Sequence, residues 1–280
     1  MLGVQLAYDR CGAGPPLVLL HGAGHRRQGW IPVIDRLAKH REVISLDFPG
    51  FGESPPLPDH LRYELDTAVT VLGKFFASLG LNRPHVAGNS MGGLVSLVLA
   101  QQGMVRSATA LSPAGLWTPM GRRVSLTMVR SVHRTARYMP PKLASRLAQT
   151  PAGRTLMCGL LFGRPDLLTP QVLLEDMQAM INAVGFTPSL AAGDQIIFNG
   201  RVPEVPVTIA WGARDLLFRR PRAESVIRLI PHVRLLRLPG CGHVPMNDNP
   251  DLVAHVLLTG SRDETRPYPQ PPSANAVTAP

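Results

Sequence analysis

Cysteine is scarce in this 280-residue chain, which carries three: Cys11, Cys158 and Cys241. An odd number without ligand-like spacing indicates neither a disulfide framework nor a zinc site. Cys241, two residues from His243, reads as a small residue filling a tight turn rather than a nucleophile. Charge is sparse too, at 17% against 45% hydrophobic residues. That balance suits one large compact domain, or a domain with an inserted cap. No apolar run reaches the length of a membrane span, and Met1–Leu6 lacks a basic stretch leading into a long apolar one. A cytoplasmic protein is the default expectation.

Acidic residues are missing altogether from 116–165, which carries nine Arg or Lys residues in a chain of net charge +10. Such a field can draw an anionic membrane surface or an anionic substrate group, or simply form a solvated arginine-rich face. Nucleic acid is not an expected partner, because no binding module is recognisable and the basic segment has few aromatics.

What is present centres on Val86-Ala87-Gly88-Asn89-Ser90-Met91-Gly92-Gly93, followed by the apolar run 94–100. An apolar strand ends, the backbone reverses and a helix starts at once. Glycines at minus two and plus two from Ser90 are what such a corner requires, since side chains there would clash with strand and helix. Other apolar strands also deliver polar or glycine-rich loops. The run 17–20 leads into His21-Gly22-Ala23-Gly24, and 43–46 into Asp47-Phe48-Pro49-Gly50. Downstream, 207–210 leads into Trp211-Gly212-Ala213-Arg214-Asp215, and 233–238 into Pro239-Gly240-Cys241-Gly242-His243. Open parallel α/β sheets place their sites at such strand ends.

These stretches, with Ser90, Asp215 and His243 in that chain order, resemble the α/β-hydrolase family over residues 1 to about 260. The resemblance implies an α/β fold: a mostly parallel central sheet flanked by helices, with an inserted all-helical cap. The expected divisions are core at 1–115, cap at 116–200, core again at 201–260 and a disordered Pro/Ser/Ala-rich tail at 261–280. It further implies Ser90 as nucleophile, His243 as base and Asp215 as the group orienting the imidazole. Ala23 and Met91 would supply the backbone N–H donors of an oxyanion hole. Some relatives carry the acid after the strand 105–111, but this chain has Ser112-Pro113-Ala114-Gly115 there. Asp47 in this family is usually structural, and His21 usually orients its loop.

Gly22, Gly24, His25, Asn89, Met128, Met177 and Val244 are candidates for substrate contact, although His25 also reads as a surface residue. Six of the ten methionines fall in the cap, which suits apolar groups of variable shape or ordinary packing between lid and body. No metal or organic cofactor is called for. The implied activity is a serine carboxylic-ester hydrolase acting on a small apolar or medium-chain ester. Two alternatives stay open: a C–C hydrolase of ring-fission diketones, and a catalytically silent binding protein. The C–C group often carries a Gly-Pro-Gly type loop and an aromatic just after the histidine. Here Gly24-His25 and Val244-Pro245 stand instead, favouring the esterase. An aspartate elbow, as in dehalogenase and epoxide-hydrolase relatives, is absent. Oligomeric state is left open.

Finer expectations concern the elements. Residues 3–9 read as an antiparallel edge hairpin turning at Gly12-Ala13-Gly14-Pro15. Helices are expected at 30–39, 65–79, 222–230 and 250–258. In the cap, a helix over 122–139 would share Val124, Met128, Val132, Ala136 and Met139 on one face and Arg123, Arg130, Arg134 and Arg137 on the other. A second, over 172–184, would align Leu173, Met177, Met180 or Ile181, and Val184.

Overall fold

The computed structural model describes residues 3–200, 202 and 205–262. The chain first forms β1 (Tyr8–Cys11), β2 (Pro16–Leu20), α1 (Ile31–Ala38), β3 (Glu42–Leu46) and α2 (Leu65–Ser78). β4 (His85–Asn89), α3 (Met91–Gln101) and β5 (Ser107–Leu111) follow. Next come helices alone: α4 (Pro119–Tyr138), α5 (Pro141–Ala148), α6 (Pro151–Cys158), α7 (Pro170–Asn182) and α8 (Phe186–Gly193). β6 (Val207–Gly212), α9 (Ala223–Leu229), β7 (Arg234–Leu238) and α10 (Pro250–Gly260) complete the described chain.

The sheet runs β1-β3-β2-β4-β5-β6-β7, parallel throughout except for β1. Its inner strands β2 to β6 are buried along nearly their whole length because helices cover both faces. Alternate residues of β2 serve opposite cores. Val18 and Leu20 join a cluster with Val69 and Leu72 of α2 and Leu94 and Val98 of α3. Leu17 and Leu19 join another with Val33 and Leu37 of α1 and Val253 and Leu257 of α10. Strand order reverses between β2 and β4, so the connections after these neighbours leave in opposite directions and open a crevice at their C-terminal ends.

The expected N-terminal hairpin does not form. The chain turns at 12–15, but β1 pairs with β3, Tyr8 opposite Leu46 and Cys11 opposite Val43, while β2 lies on the other side of β3. Burial decides this. The run Leu17–Leu20 is fully buried and needs neighbours on both edges, whereas Tyr8-Asp9-Arg10-Cys11 is exposed throughout and suits the sheet edge.

Two stripe assignments in the helical segment also shift. Val124 is 51% exposed rather than on the buried face of α4. α7 ends at Asn182, leaving Val184 outside it and exposed. The chain leaves the helix there because Gly185 must pass close to Pro49 and Phe51, and its N–H donates to Gly50 O at 3.0 Å. At the C-terminus, Ser261 is buried and its Oγ and carbonyl accept from Arg41, so the packed chain runs past the expected start of the tail. Residues 263–280 of the expected tail lie outside the described residues.

Candidate active site

Ser90 sits between β4 and α3 with φ 55° and ψ −112°, a strained conformation for a residue with a side chain. The surroundings hold it there. Its N–H donates to Leu111 O at 2.9 Å, and its carbonyl accepts from Leu94 N and Ala114 N, both at 3.0 Å. A Cβ on Gly88 would run into the Gly92 carbonyl, and one on Gly92 into the Leu20 carbonyl. The corner therefore tolerates no side chain at either glycine, and backbone packing forces Ser90 to the surface of the crevice.

His243 arrives from the loop after β7. Its Nδ1–H donates to Asp215 Oδ2 at 2.9 Å, with side chains 3% and 1% exposed. Asp215 follows β6, and its Oδ1 accepts from the N–H groups of Leu217 at 3.0 Å and Phe218 at 2.8 Å. A carboxylate only accepts, so the proton lies on Nδ1 and the neutral ring keeps its lone pair on Nε2. The Phe218 ring meets the imidazole edge-on, centroids 4.4 Å apart.

A glycine-flanked loop needs anchors to present an imidazole in one place. Asn89, next to the serine, donates from Nδ2 to His243 O at 2.8 Å and to Leu111 O at 3.1 Å. Val244 N–H donates to Leu161 O at 2.9 Å. The third anchor is Asp248, which no sequence pattern points to. Its Oδ2 accepts from Gly242 N at 2.7 Å and Gly163 N at 2.9 Å, and its Oδ1 from Arg164 N at 2.7 Å. One carboxylate thus ties the histidine loop to the loop between α6 and α7. Burial pushes the Asp248 carboxyl above its ordinary range, while the three N–H donors pull the other way. Nothing but spatial convergence marks this residue; no local pattern signals it.

The loop after β2 lies across the crevice. His21 donates from Nδ1 to Gly22 O at 2.8 Å and accepts at Nε2 from Phe48 N at 3.0 Å. Both ring nitrogens are occupied, and burial pushes its pKa down to about 4. Behind it, fully buried Asp47 accepts from Arg27 and from Glu53 N, and Asp9 and Glu53 also hold the Arg27 guanidinium. Asp47 is committed to this scaffold.

Ser90 and His243 line one cavity of about 410 Å³ between the sheet and helices α4, α6, α7 and α8. Ala23 and Met91 line it as well, as do Gly22, Gly24, His25 and Asn89 on the sheet side. Met128 of α4, Met177 of α7 and Val244 complete the sequence-derived set at its wall. Asp215 stands behind His243 and is absent from the lining. Gly24, at φ 79°, passes so close to Met180 and Phe186 that a Cβ would crowd both. His25 Nε2 lies 3.9 Å from Asp176 Oδ2 across the loop–α7 junction, and Arg26 binds Glu175 there. His25 is therefore partly buried at the cavity wall. Cys241 is fully buried, its thiol pushed up to about 12 by burial and the nearby Asp248 charge, which leaves it inert at neutral pH. Among the described residues, no group of three or more His, Cys, Asp or Glu side chains gathers to hold a metal. Nor is any described helix long and apolar enough to cross a membrane.

Residues 17–256 match the model of a family described as the alpha/beta hydrolase family. The dihydrolipoyllysine-residue acetyltransferase component of the acetoin cleaving system from Pseudomonas putida is 29% identical over 256 residues, 88% of this chain and 63% of its own length. The chain thus spans about three-fifths of that relative. Lipase 3 of a Moraxella species is 25% identical, over 83% of this chain and 73% of the lipase. Among solved structures, a membrane phospholipase A described as a bacterial virulence factor superposes with a TM-score of 0.75 at 24% identity. That match covers 93% of this chain and 84% of the phospholipase, and it speaks to fold alone.

Proposed function

The chain belongs to the alpha/beta hydrolase family, and from that footing we propose that it is a serine hydrolase cleaving carboxylic esters with apolar or medium-chain acyl groups. The observation that carries the reading is the His243–Asp215 hydrogen bond, placed at a cavity that Ser90 also lines.

A serine hydroxyl is a weak nucleophile and needs a base that takes its proton as it attacks. With Nδ1 committed to Asp215, His243 has only Nε2 to offer for this. Attack by Ser90 Oγ on the ester carbon forms the acyl–oxygen bond while the proton passes to Nε2. The carbonyl electrons move onto oxygen, where the Ala23 and Met91 N–H groups stabilise the anion. Collapse expels the alcohol, which takes the proton back from His243. Water activated by the same nitrogen then releases the acid and frees Ser90. Asp215 stays ionised and stabilises the imidazolium in both halves. The chemistry requires no metal or cofactor.

The apolar wall contributed by the helical segment supports an apolar acyl group, with Met128 and Met177 adapting to its shape. We assign residues 116–200 the role of a cap over the core formed by 1–115 and 201–260. Sequence similarity to a lipase supports the ester class.

The test is hydrolysis of p-nitrophenyl esters from acetate to octanoate by wild type and Ser90→Ala, beside cleavage of a ring-fission diketone. Turnover of the medium-chain esters, falling at least about 10⁴-fold in Ser90→Ala, is expected. Cleavage of the diketone with inert esters transfers the assignment to C–C hydrolysis. Inertness toward both leaves a binding protein.

A further inference from the structure

We propose that the exposed corner joining α4 to α5 docks on anionic phospholipid bilayers and holds the cavity mouth at the lipid interface. The docking goes beyond the hydrolase reading and does not depend on it.

The charges are arranged for an external anion. In α4, Arg123, Arg134 and Arg137 recur on one exposed face, since a helix turns about 100° per residue. Past the Met139-Pro140 corner, Lys142 and Arg146 are exposed on α5. Three other basic residues of this stretch are already engaged: Arg130 with Asp194, Arg164 with Asp166, and Arg154 with the carbonyls of Ala148, Pro165 and Asp166. Among the described residues, none of Arg123, Arg134, Arg137, Lys142 and Arg146 meets a carboxylate. The acids of neighbouring α7 are taken as well, Glu175 and Asp176 both lying against Arg26.

Apolar side chains stand between these cations. Tyr138 is 74% exposed and Leu143 46%, each adjacent in sequence to a basic residue. Isolated exposed apolar residues are ordinary, but here they alternate with unpaired cations over two successive helices. A bilayer interface accommodates both kinds: Arg and Lys at lipid phosphates, Tyr and Leu at the acyl boundary. A soluble polyanion without aromatic rings would use only the charges, and a nucleic acid would have no use for Leu143.

The patch also borders the opening. Thr135, Ala136 and Met139, from the same last turn of α4 and its end, line the cavity. So do Leu156 and Leu160 around the end of α6, which are 77% and 40% exposed. Seating Tyr138 and Leu143 in the interface would bring this apolar rim to the lipid.

The experiment is co-sedimentation of the full chain with phosphatidylcholine vesicles, with and without phosphatidylglycerol, at low and high salt. Binding to the anionic vesicles alone, weakened by salt, is expected. Arg134→Glu with Arg137→Glu should weaken partitioning about 25-fold or more, at about fivefold per basic side chain lost. Tyr138→Ser with Leu143→Ser, which keeps every charge, should also weaken it several-fold. Hydrolysis of a soluble p-nitrophenyl ester by all four substituted positions should stay at the wild-type level, because none lines the cavity. Equal binding to neutral vesicles, no binding to anionic ones, or indifference to the charge reversals would overturn the proposal. Loss with charge reversal alone, together with full competition by heparin, would show a general polyanion site and overturn it too. Absence of ester turnover with intact vesicle binding would strike the hydrolase reading and leave the docking standing.

Discussion

The carboxylate of Asp215 divides its two oxygens, one receiving the His243 Nδ1–H at 2.9 Å and the other the N–H groups of Leu217 and Phe218. The backbone fixes the carboxylate, the carboxylate fixes the imidazole, and the imidazole is left with one free nitrogen.

Asp215→Asn tests that chain of dependence. The amide can donate to Nδ1, which forces the ring proton onto Nε2 and removes the base. The variant should fold normally and lose about 10³- to 10⁴-fold in kcat, with KM little changed. A loss below tenfold would mean that the tautomer is not what Asp215 controls.

The backbone of Ser90 carries strain that glycine would relieve. At φ 55° and ψ −112° only a residue without Cβ is comfortable. Ser90→Gly should therefore be more stable than Ser90→Ala by about 1 kcal/mol, read from thermal or urea unfolding, although both are inactive. Equal stabilities would show that the corner is not strained.

Asp248 acts at a distance through the loops it ties. Replacing it by Ala leaves three N–H groups without their acceptor, the buried one of Gly242 and the partly buried ones of Gly163 and Arg164. Stability should fall by about 2 kcal/mol or more. In the milder Asp248→Asn, which retains one acceptor oxygen, kcat should drop while KM holds, because the loop bearing His243 loosens. A variant that lost stability without any change in kcat would reduce Asp248 to a structural tie.

His21 sets an acid limit. Its folded pKa of about 4 lies below the ordinary 6.5, so on acidification the unfolded chain takes up a proton that the folded one refuses. Its contribution is complete above about pH 6.5 and is lost as pH falls toward 4, to a total of about 3 kcal/mol. Urea unfolding at about pH 7.5 and about pH 4.5 should show a smaller difference for His21→Gln than for wild type. An unchanged difference would assign the acid sensitivity elsewhere.

The sheet was readable because each buried strand is a short apolar run that ends in glycines or polar residues, and the elbow because its glycines answer a steric demand. β1 was misplaced because strand partners depend on which strand needs two neighbours, and loop length alone does not say. In the helical segment no period separates α5, α6 and α8, yet the starts of three of its helices are written in plain chemistry. Thr150-Pro151 and Thr169-Pro170 each set a capping hydroxyl before a proline, and Thr118-Pro119 does the same for α4. Asp248 and Arg27 were invisible for another reason. Their partners come from segments far apart in the chain, and no period or spacing encodes such a convergence.

Intact-protein mass spectrometry of enzyme quenched during p-nitrophenyl butyrate turnover, followed by peptide mapping, tests the nucleophile most directly. The account predicts a single added butyryl group on the peptide holding Ser90, absent in Ser90→Ala and long-lived in a chemically acylated His243→Ala variant. Acylation mapping to any other residue, or turnover that survives the loss of the Ser90 hydroxyl, would contradict it.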